Sequence, residues 1–368
     1  MNSRSIYSPE PAKGWLPWGA LAPVLCILIV ALPMLALGEV EQHLGLLDAK
    51  GEPTGFAGLC SLLFVEFAVT GLLLLAWVRF VERRPLATIG LVIGPVRPAR
   101  TLGRGLLVGI AMSITLVASI GLAGGYRASE IAKAFAEPIA LVRIAVLLVA
   151  FVVQSGVEEI LFRGWLLSAV TRKFNLGWGV VLSSLVFTFL HYGPHQRWDV
   201  MVGTMLFALF TCAWALYAGN LWGVMGWHAG WNWLISIGFE VPITGLDARQ
   251  PALLVHLTPQ GPDWLTGGAE GPEGSVLCSL IFLVAIGLLL ARGRSLFGTG
   301  SGDRRRGGAD RAQEARDPRP VRSVGERVDA AGAGTPVGDV LQHVIEAELR
   351  TAVELQTLEG ESGEQTRR

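Results

Sequence analysis

Eight stretches of the chain are apolar almost without interruption: 15–37, 56–78, 102–125, 142–170, 176–191, 200–217, 221–239 and 275–291. A bilayer core takes about 17 to 25 helical residues, so most of these runs match one crossing, with the fourth long and the fifth short. No strand-like alternation accompanies them, and backbone N–H and C=O groups cannot stay unpaired in lipid. The pattern therefore predicts an all-α fold, a polytopic membrane bundle of about eight transmembrane helices with a cytoplasmic tail. Arg4 and Lys13 precede the first run as they would in a signal peptide. The run is nevertheless of bilayer length and lacks a small-residue cleavage site, so a retained helix is expected.

Composition agrees with this reading. Of 368 residues, 51% are hydrophobic and only 16% charged, against about 25% charged in soluble domains; the mean hydropathy is +0.49. A net charge of zero, with no basic cluster resembling a nucleic-acid footprint, argues against DNA or RNA as a partner. Cys26, Cys60, Cys212 and Cys278 all fall within apolar runs without CxxC spacing and read as buried thiols, not disulfides or a zinc knuckle. Loop charge sets the orientation: Arg79, Arg83, Arg84, Arg97, Arg100 and Arg104 lie between the second and third runs, whereas Glu39, Glu41, Asp48 and Glu52 fill the first loop. Arg172, Lys173, Arg292 and Arg294 fall on the arginine-rich side, which predicts a multi-pass cell-membrane protein with both termini cytoplasmic.

Three segments follow. Residues 1–291 are expected to form the membrane bundle. Residues 292–336, including "GTGSGDRRRGGADRAQEARDPRP", are too poor in large apolar side chains to build a core and predict a disordered cytoplasmic linker. Residues 337–368 contain Val340, Leu341, Val344, Ile345, Leu349, Ala352 and Val353 at helical spacing after an Asp339 cap. They predict a short amphipathic helix, either a solvated or self-associating tail or one that docks a partner.

Ionisable side chains are costly in apolar spans and mark candidate function. In "SGVEEILFRG", Glu159 and Arg163 are four residues apart on one helical face, while Glu158 points about 100° away. One carboxylate can pair with the arginine and leave the other free. "FTFLH" puts Phe187 and His191 on one face, and "HAGWN" does the same for His228 and Asn232, with small Ala229 and Gly230 between them to allow close helix approach. A free glutamate in a partly wet cavity can take a proton from water, two imidazoles can hold that water, and a histidine with an asparagine amide can donate to an oxyanion. Such a set would hydrolyse an amide bond. Each group alone has a plainer reading: a helix clamp for Glu159 and Arg163, a satisfied core histidine for His191 or His228. Glu66 is a further buried carboxylate, expected to hydrogen-bond between helices, and the twelve tryptophans are expected to pack or anchor.

Together, and in this order, the three groups resemble the CPBP family of intramembrane proteases, which includes the type II CAAX prenyl endopeptidases and the bacterial Abi or bacteriocin-immunity proteins. The family pattern is Glu-Glu-x-x-x-Arg, then Phe-x-x-x-His, then His-x-x-x-Asn or Asp, and all three motifs are complete here. The resemblance covers about 83–239. It implies an eight-helix bundle with a cavity open to membrane and cytosol, in which Glu158 activates water, His191 helps to bind it, and His228 and Asn232 stabilise the oxyanion. Glu159, Arg163 and Phe187 would support that geometry. The family has been described both as glutamic and as metallo-type. From the residues, Glu158, His191 and His228 could ligate a divalent metal such as zinc, but they lack an i, i+4 histidine pair on one helix, and no obligatory cofactor is expected.

The function expected is that of an intramembrane endopeptidase acting on a membrane-embedded or lipid-anchored protein or peptide, with membrane lipid as its surroundings. A non-catalytic scaffold or bacteriocin-immunity-type protein retaining the fold is the alternative. A proton-coupled transporter with Glu158, His191 and His228 as relay fits less well, because no paired halves or interrupted helices appear. One tension concerns depth. His191 stands about 22 Å along its helix from Leu176, whereas His228 comes only a few residues after Leu221, so the seventh helix must either begin lower or sit higher than a full crossing.

Overall fold

The computed structural model describes residues 6–8, 10–94, 96–193 and 197–297. Within them the expected bundle is present as eight apolar helices: α1 (Ala22–His43), α2 (Phe56–Val81), α3 (Pro98–Leu122), α4 (Pro138–Lys173), α5 (Leu176–Leu190), α6 (Trp198–Ala218), α7 (222–238) and α8 (Val276–Phe297). Five of them, α1 to α4 and α6, are long and apolar enough to cross a membrane unaided; α5 and α8 are shorter apolar helices. α8 runs through the expected start of the linker at 292. The remainder of the linker, and the tail helix expected at 337–368, lie outside the described residues.

Several boundaries move for identifiable reasons. Pro23 and Pro98 sit in the first turns of α1 and α3, where a missing N–H costs nothing, so those helices start at 22 and 98 and not at 15 and 102. The residues before α1 form an extended strap. The backbone N–H groups of Lys13, Gly14 and Trp15 donate to the carbonyls of Arg83, Glu82 and Val81 at 3.3, 2.9 and 3.1 Å, binding the strap to the end of α2. A small antiparallel pair, β1 (Tyr126–Ile131) and β2 (Val255–Pro259), adds to the helical expectation. β1 is almost wholly exposed, which leaves no alternation of apolar and polar residues to read.

The depth problem resolves in the connections. Only Phe174 and Asn175 separate α4 from α5, so the pair is an antiparallel hairpin, and the Asn175 side chain caps α5 by accepting from the Trp178 N–H at 3.0 Å. Glu158 and His191 each lie fifteen residues from this turn, about 22 Å, and so reach the same level. α7 starts high. The Leu221 N–H donates to the Gly90 carbonyl at 3.0 Å, and a Cβ on Gly164 would lie only 3.0 Å from the Leu221 side chain. The 90–221 contact thus sets the foot of α7 beside Gly164 on α4. Six residues from Gly164 along α4 and seven from Leu221 along α7, about 9 and 10 Å, Glu158 and His228 stand side by side.

Glycines bring α7 this close. Gly105 and Gly109 on α3 face Gly226 and Gly230 on α7, and a Cβ at any of the four would fall within 2.3 Å of a carbonyl oxygen of the opposite helix. These are small-xxx-small stripes on both partners, the arrangement that lets membrane helices pack backbone to backbone. Gly226 and Gly230 provide the approach that the sequence suggested for Ala229 and Gly230. Behind the stripe, Trp227 and Trp231 are fully buried against Phe207, Phe210 and Phe282, so these tryptophans pack as expected. The four cysteines are free thiols, three of them buried.

Candidate active site

α4 carries the acidic motif, and its helix widens into a π turn over Ile160–Leu166, immediately after the two glutamates. Such wide turns recur at functional sites because they re-aim side chains within an otherwise regular helix. Arg163, inside this turn, is fully buried, and its Nη1 lies 3.3 Å from Glu159 Oε1 in an ion pair whose geometry is not that of a hydrogen bond. The pairing expected from the i, i+4 spacing is present. The guanidinium also lies over the Phe187 ring, 4.2 Å from its centroid. A desolvated cation over an aromatic ring gains about 2 kcal/mol or more, less than the several kcal/mol that an uncompensated buried charge costs. The carboxylate and the ring are therefore both needed.

Phe187 explains its own place in the motif. Besides Arg163, it contacts His191 in a stacked arrangement at 4.2 Å and Phe207 of α6 at 5.6 Å with nearly parallel rings. His191 follows the last residue of α5, and its Nδ1 lies 2.8 Å from the Phe187 carbonyl. A carbonyl only accepts, so Nδ1 carries the hydrogen and Nε2 is left with its lone pair.

His228 sits between the two glutamates. Its Nδ1 is 2.9 Å from Glu159 Oε1 and its Nε2 is 3.8 Å from Glu158 Oε2, the latter beyond hydrogen-bond range. Glu159 consequently serves the histidine as well as the arginine, a link between α4 and α7 that sequence spacing did not indicate. Glu158 is itself buried, with Oε2 lacking any hydrogen-bond partner. One turn above His228, Asn232 Nδ2 donates to Gln154 Oε1 at 3.1 Å, and Gln154 also accepts from the Ser155 hydroxyl at 2.9 Å. Each of the two expected oxyanion donors thus has one polar position engaged, and each keeps another: Nε2 of His228 and the second amide hydrogen of Asn232.

Glu158, His191, His228, Asn232, Gln154 and Phe187 line one cavity of about 50 Å³, completed by Thr204 and Phe207 of α6, Phe282 of α8, and Thr244 and Glu273 of the 239–275 segment. A water needs roughly 10 to 15 Å³ on this measure, so the space suits a few waters and is too small for a peptide. Glu273 is fixed by the Trp231 indole and the Thr244 hydroxyl, each donating to it at 2.7 Å. Glu158 and His191 also line a second cavity of about 170 Å³, walled mainly by apolar residues of α1, α2, α4 and α5, among them Val30, Met34, Phe67 and Leu161. The two side chains stand where a polar chamber meets an apolar one. Glu66 lines the apolar chamber and contacts Glu41 of α1 through its side chain, the interhelical carboxyl contact expected of it.

The structure therefore gathers all seven motif residues on α4, the end of α5, and α7. Gln154, Phe207, Thr244 and Glu273 join them with no signal in the sequence except for Gln154, a polar residue one turn before Glu158. Although Glu158, His191 and His228 share the cavity, no three His, Cys, Asp or Glu side chains among the described residues converge closely enough to hold a metal ion.

Comparison with known families agrees with this geometry. Residues 140–234 match the family model described as type II CAAX prenyl endopeptidase Rce1-like. The chain carries an Rce1-like domain. The matched segment runs from the first turn of α4 into α7 and includes every one of the seven motif residues. α1 to α3, β1, β2, α8 and the strap lie outside the Rce1-like domain, yet α1, α2 and α8 wall its two cavities. No curated protein and no solved structure matches the chain.

Proposed function

We propose that this protein is an intramembrane endopeptidase that uses Glu158 as general base and cuts a lipid-anchored or membrane-embedded protein near the level of α4's π turn. The observation that carries the proposal is the Glu158 side chain, which lines a water-sized chamber and whose Oε2, buried and without a hydrogen-bond partner, lies 3.8 Å from the Nε2 of His228.

In this reading, a water in the chamber is held by the Nε2 lone pair of His191 and gives a proton to Glu158. Its oxygen bonds to the scissile carbonyl carbon as the carbonyl electrons move to oxygen. The oxyanion accepts from the free amide hydrogen of Asn232 and from Nε2–H of His228, whose positive charge Glu159 offsets at Nδ1. Glu158 then returns its proton to the departing amide nitrogen as the C–N bond breaks, so one carboxylate acts first as base and then as acid. Arg163 pairs with Glu159, and Phe187 fixes both Arg163 and His191. Gln154 orients Asn232. The apolar chamber between α1, α2, α4 and α5 suits the lipid-like part of a substrate, which would reach Glu158 from the bilayer. The polar chamber is too small for a peptide, so the 239–275 segment that supplies Thr244 and Glu273 to its wall would shift when a peptide binds. The arginine-rich end of the bundle is assigned to the cytoplasm by the positive-inside rule.

The test compares peptide termini in membranes from cells carrying the native chain, Glu158→Gln or His228→Ala at matched expression. New termini present only with the native chain support proteolysis and identify the substrate. Identical termini in all three would move the assignment to a non-catalytic scaffold.

A further inference from the structure

A further cavity lies away from the site, at the arginine-rich end, and has a volume of about 860 Å³. It is formed where the strap crosses the end of α2, and its charged lining is Lys13, Arg79, Arg83 and Arg84 against Glu10 alone. Lys13, Arg79 and Arg83 are exposed, and none of them makes a salt bridge among the described residues. Arg84 is different. Only 2% of it is exposed; its Nε is paired with Glu82, and its Nη1 meets the Thr88 and Ser168 hydroxyls at 3.3 Å each, but its Nη2 has no hydrogen-bond partner. Glu82 has nothing left for it, since its other oxygen accepts from the indoles of Trp77 at 3.1 Å and Trp165 at 2.8 Å.

A buried guanidinium with one nitrogen unanswered, in a basin of three further cations, calls for an anion with several acceptor oxygens. The location narrows its source. The basin opens beside Trp15 and Phe80, which are 54% and 70% exposed, at the terminus of a membrane-length helix. Exposed aromatic rings and basic side chains at a helix end mark the headgroup level of a bilayer. Basic pockets between helices at that level suit anionic headgroups. Burial pushes the Arg84 guanidinium below its ordinary value, with Glu82 pulling it back up. An added anion would act in the same sense as Glu82.

We propose that Lys13, Arg79, Arg83 and Arg84 form a binding site for the phosphodiester group of an anionic lipid, which ties the strap to α2 at the membrane face. The site is separate from the hydrolytic chamber. Ser168, which touches Arg84, lies ten residues from Glu158 along α4, about 15 Å.

The experiment uses the full chain, purified and delipidated in neutral detergent, with native mass spectrometry to count bound phosphatidylglycerol against phosphatidylcholine of the same acyl chains. The wild type should favour phosphatidylglycerol by about tenfold or more. Lys13→Gln/Arg79→Gln/Arg83→Gln, which changes only exposed side chains, should lose that preference. Arg97→Gln/Arg100→Gln/Arg104→Gln, which removes the same charge from outside the basin, should keep it. An equal loss in both triple variants, or no preference in the wild type, would overturn the proposal. So would protection from thermal unfolding by inorganic phosphate that matches that of the lipid, because the site would then belong to a free anion.

Discussion

Glu82 with Arg84 and Glu159 with Arg163 are both glutamate–arginine pairs whose side chains are at most 1% exposed. At the foot of α2, both oxygens of Glu82 are occupied, by two indoles and the guanidinium, and Arg84 is short of a partner at a single nitrogen. On α4, Glu159 Oε2, Glu158 Oε2 and all three nitrogens of Arg163 lack hydrogen-bond partners. The first pair ties the strap end of α2 to α4 through Trp165 and Ser168. The second is held by one ion contact, the Phe187 ring over the guanidinium and the Glu159 bond to His228, and it still keeps acceptors and donors uncommitted beside a chamber. Buried polar groups are almost always satisfied where their only task is structural. In the proposed reading, water and substrate complete the set around Glu158, and the contrast can be tested from both sides.

The largest effect is expected at Glu158. Glu158→Gln keeps the shape and removes the base, so turnover should fall by about 10²- to 10⁴-fold with thermal stability unchanged, as read by cleavage rate and by unfolding of the same sample. Next comes Glu82→Gln, which strands the Arg84 charge and should cost about 3 to 5 kcal/mol. Cleavage per folded molecule should stay at the native rate, which separates the clamp from the site. Asn232→Ala removes an oxyanion donor and should lower kcat by about 10²- to 10³-fold with little change in KM. Phe187→Leu removes a ring contact to Arg163 worth about 2 kcal/mol and should show in unfolding first and in rate second. The smallest effect is at Asp48 in the exposed loop after α1. Its carboxylate accepts from the N–H groups of Lys50 and Glu52 at 2.8 and 3.0 Å, and these bonds hold it below the usual carboxylate range. A depressed folded value means that this contribution is complete above the unfolded value near 3.9 and fades as pH falls through the folded one. Asp48→Ala should therefore behave as wild type in acid, differ slightly at neutral pH, and leave cleavage untouched.

Much of this was legible along the chain because bilayer length and helical spacing are local properties. The runs of apolar residues located the helices to within a few positions, except where Pro23 and Pro98 dictated the start and where α1 and α8 continue six residues past the expected ends at 37 and 291. The i, i+4 spacings put Glu159 with Arg163 and Phe187 with His191. Contacts between helices were not legible. Nothing local shows that His228 meets Glu159, that Gln154 takes the amide of Asn232, or that Phe207 and Glu273 close the chamber, since these depend on which faces meet. The height of α7 was equally hidden, being fixed by the Leu221 bond to Gly90 from a different loop. The strap was missed because Trp15 to Gly19 is apolar enough to pass for helix. Backbone pairing with 81–83 decides otherwise.

The most direct test of the central claim is cleavage in ¹⁸O-labelled water by the purified full chain in liposomes, using a substrate identified from the membrane termini. Direct attack by a water that Glu158 has deprotonated predicts one ¹⁸O atom in the new carboxyl group, product formation by the wild type, and at least a hundredfold less from Glu158→Gln, about the loss expected for a missing general base. Cleavage by a folded Glu158→Gln protein at the wild-type rate would contradict the account.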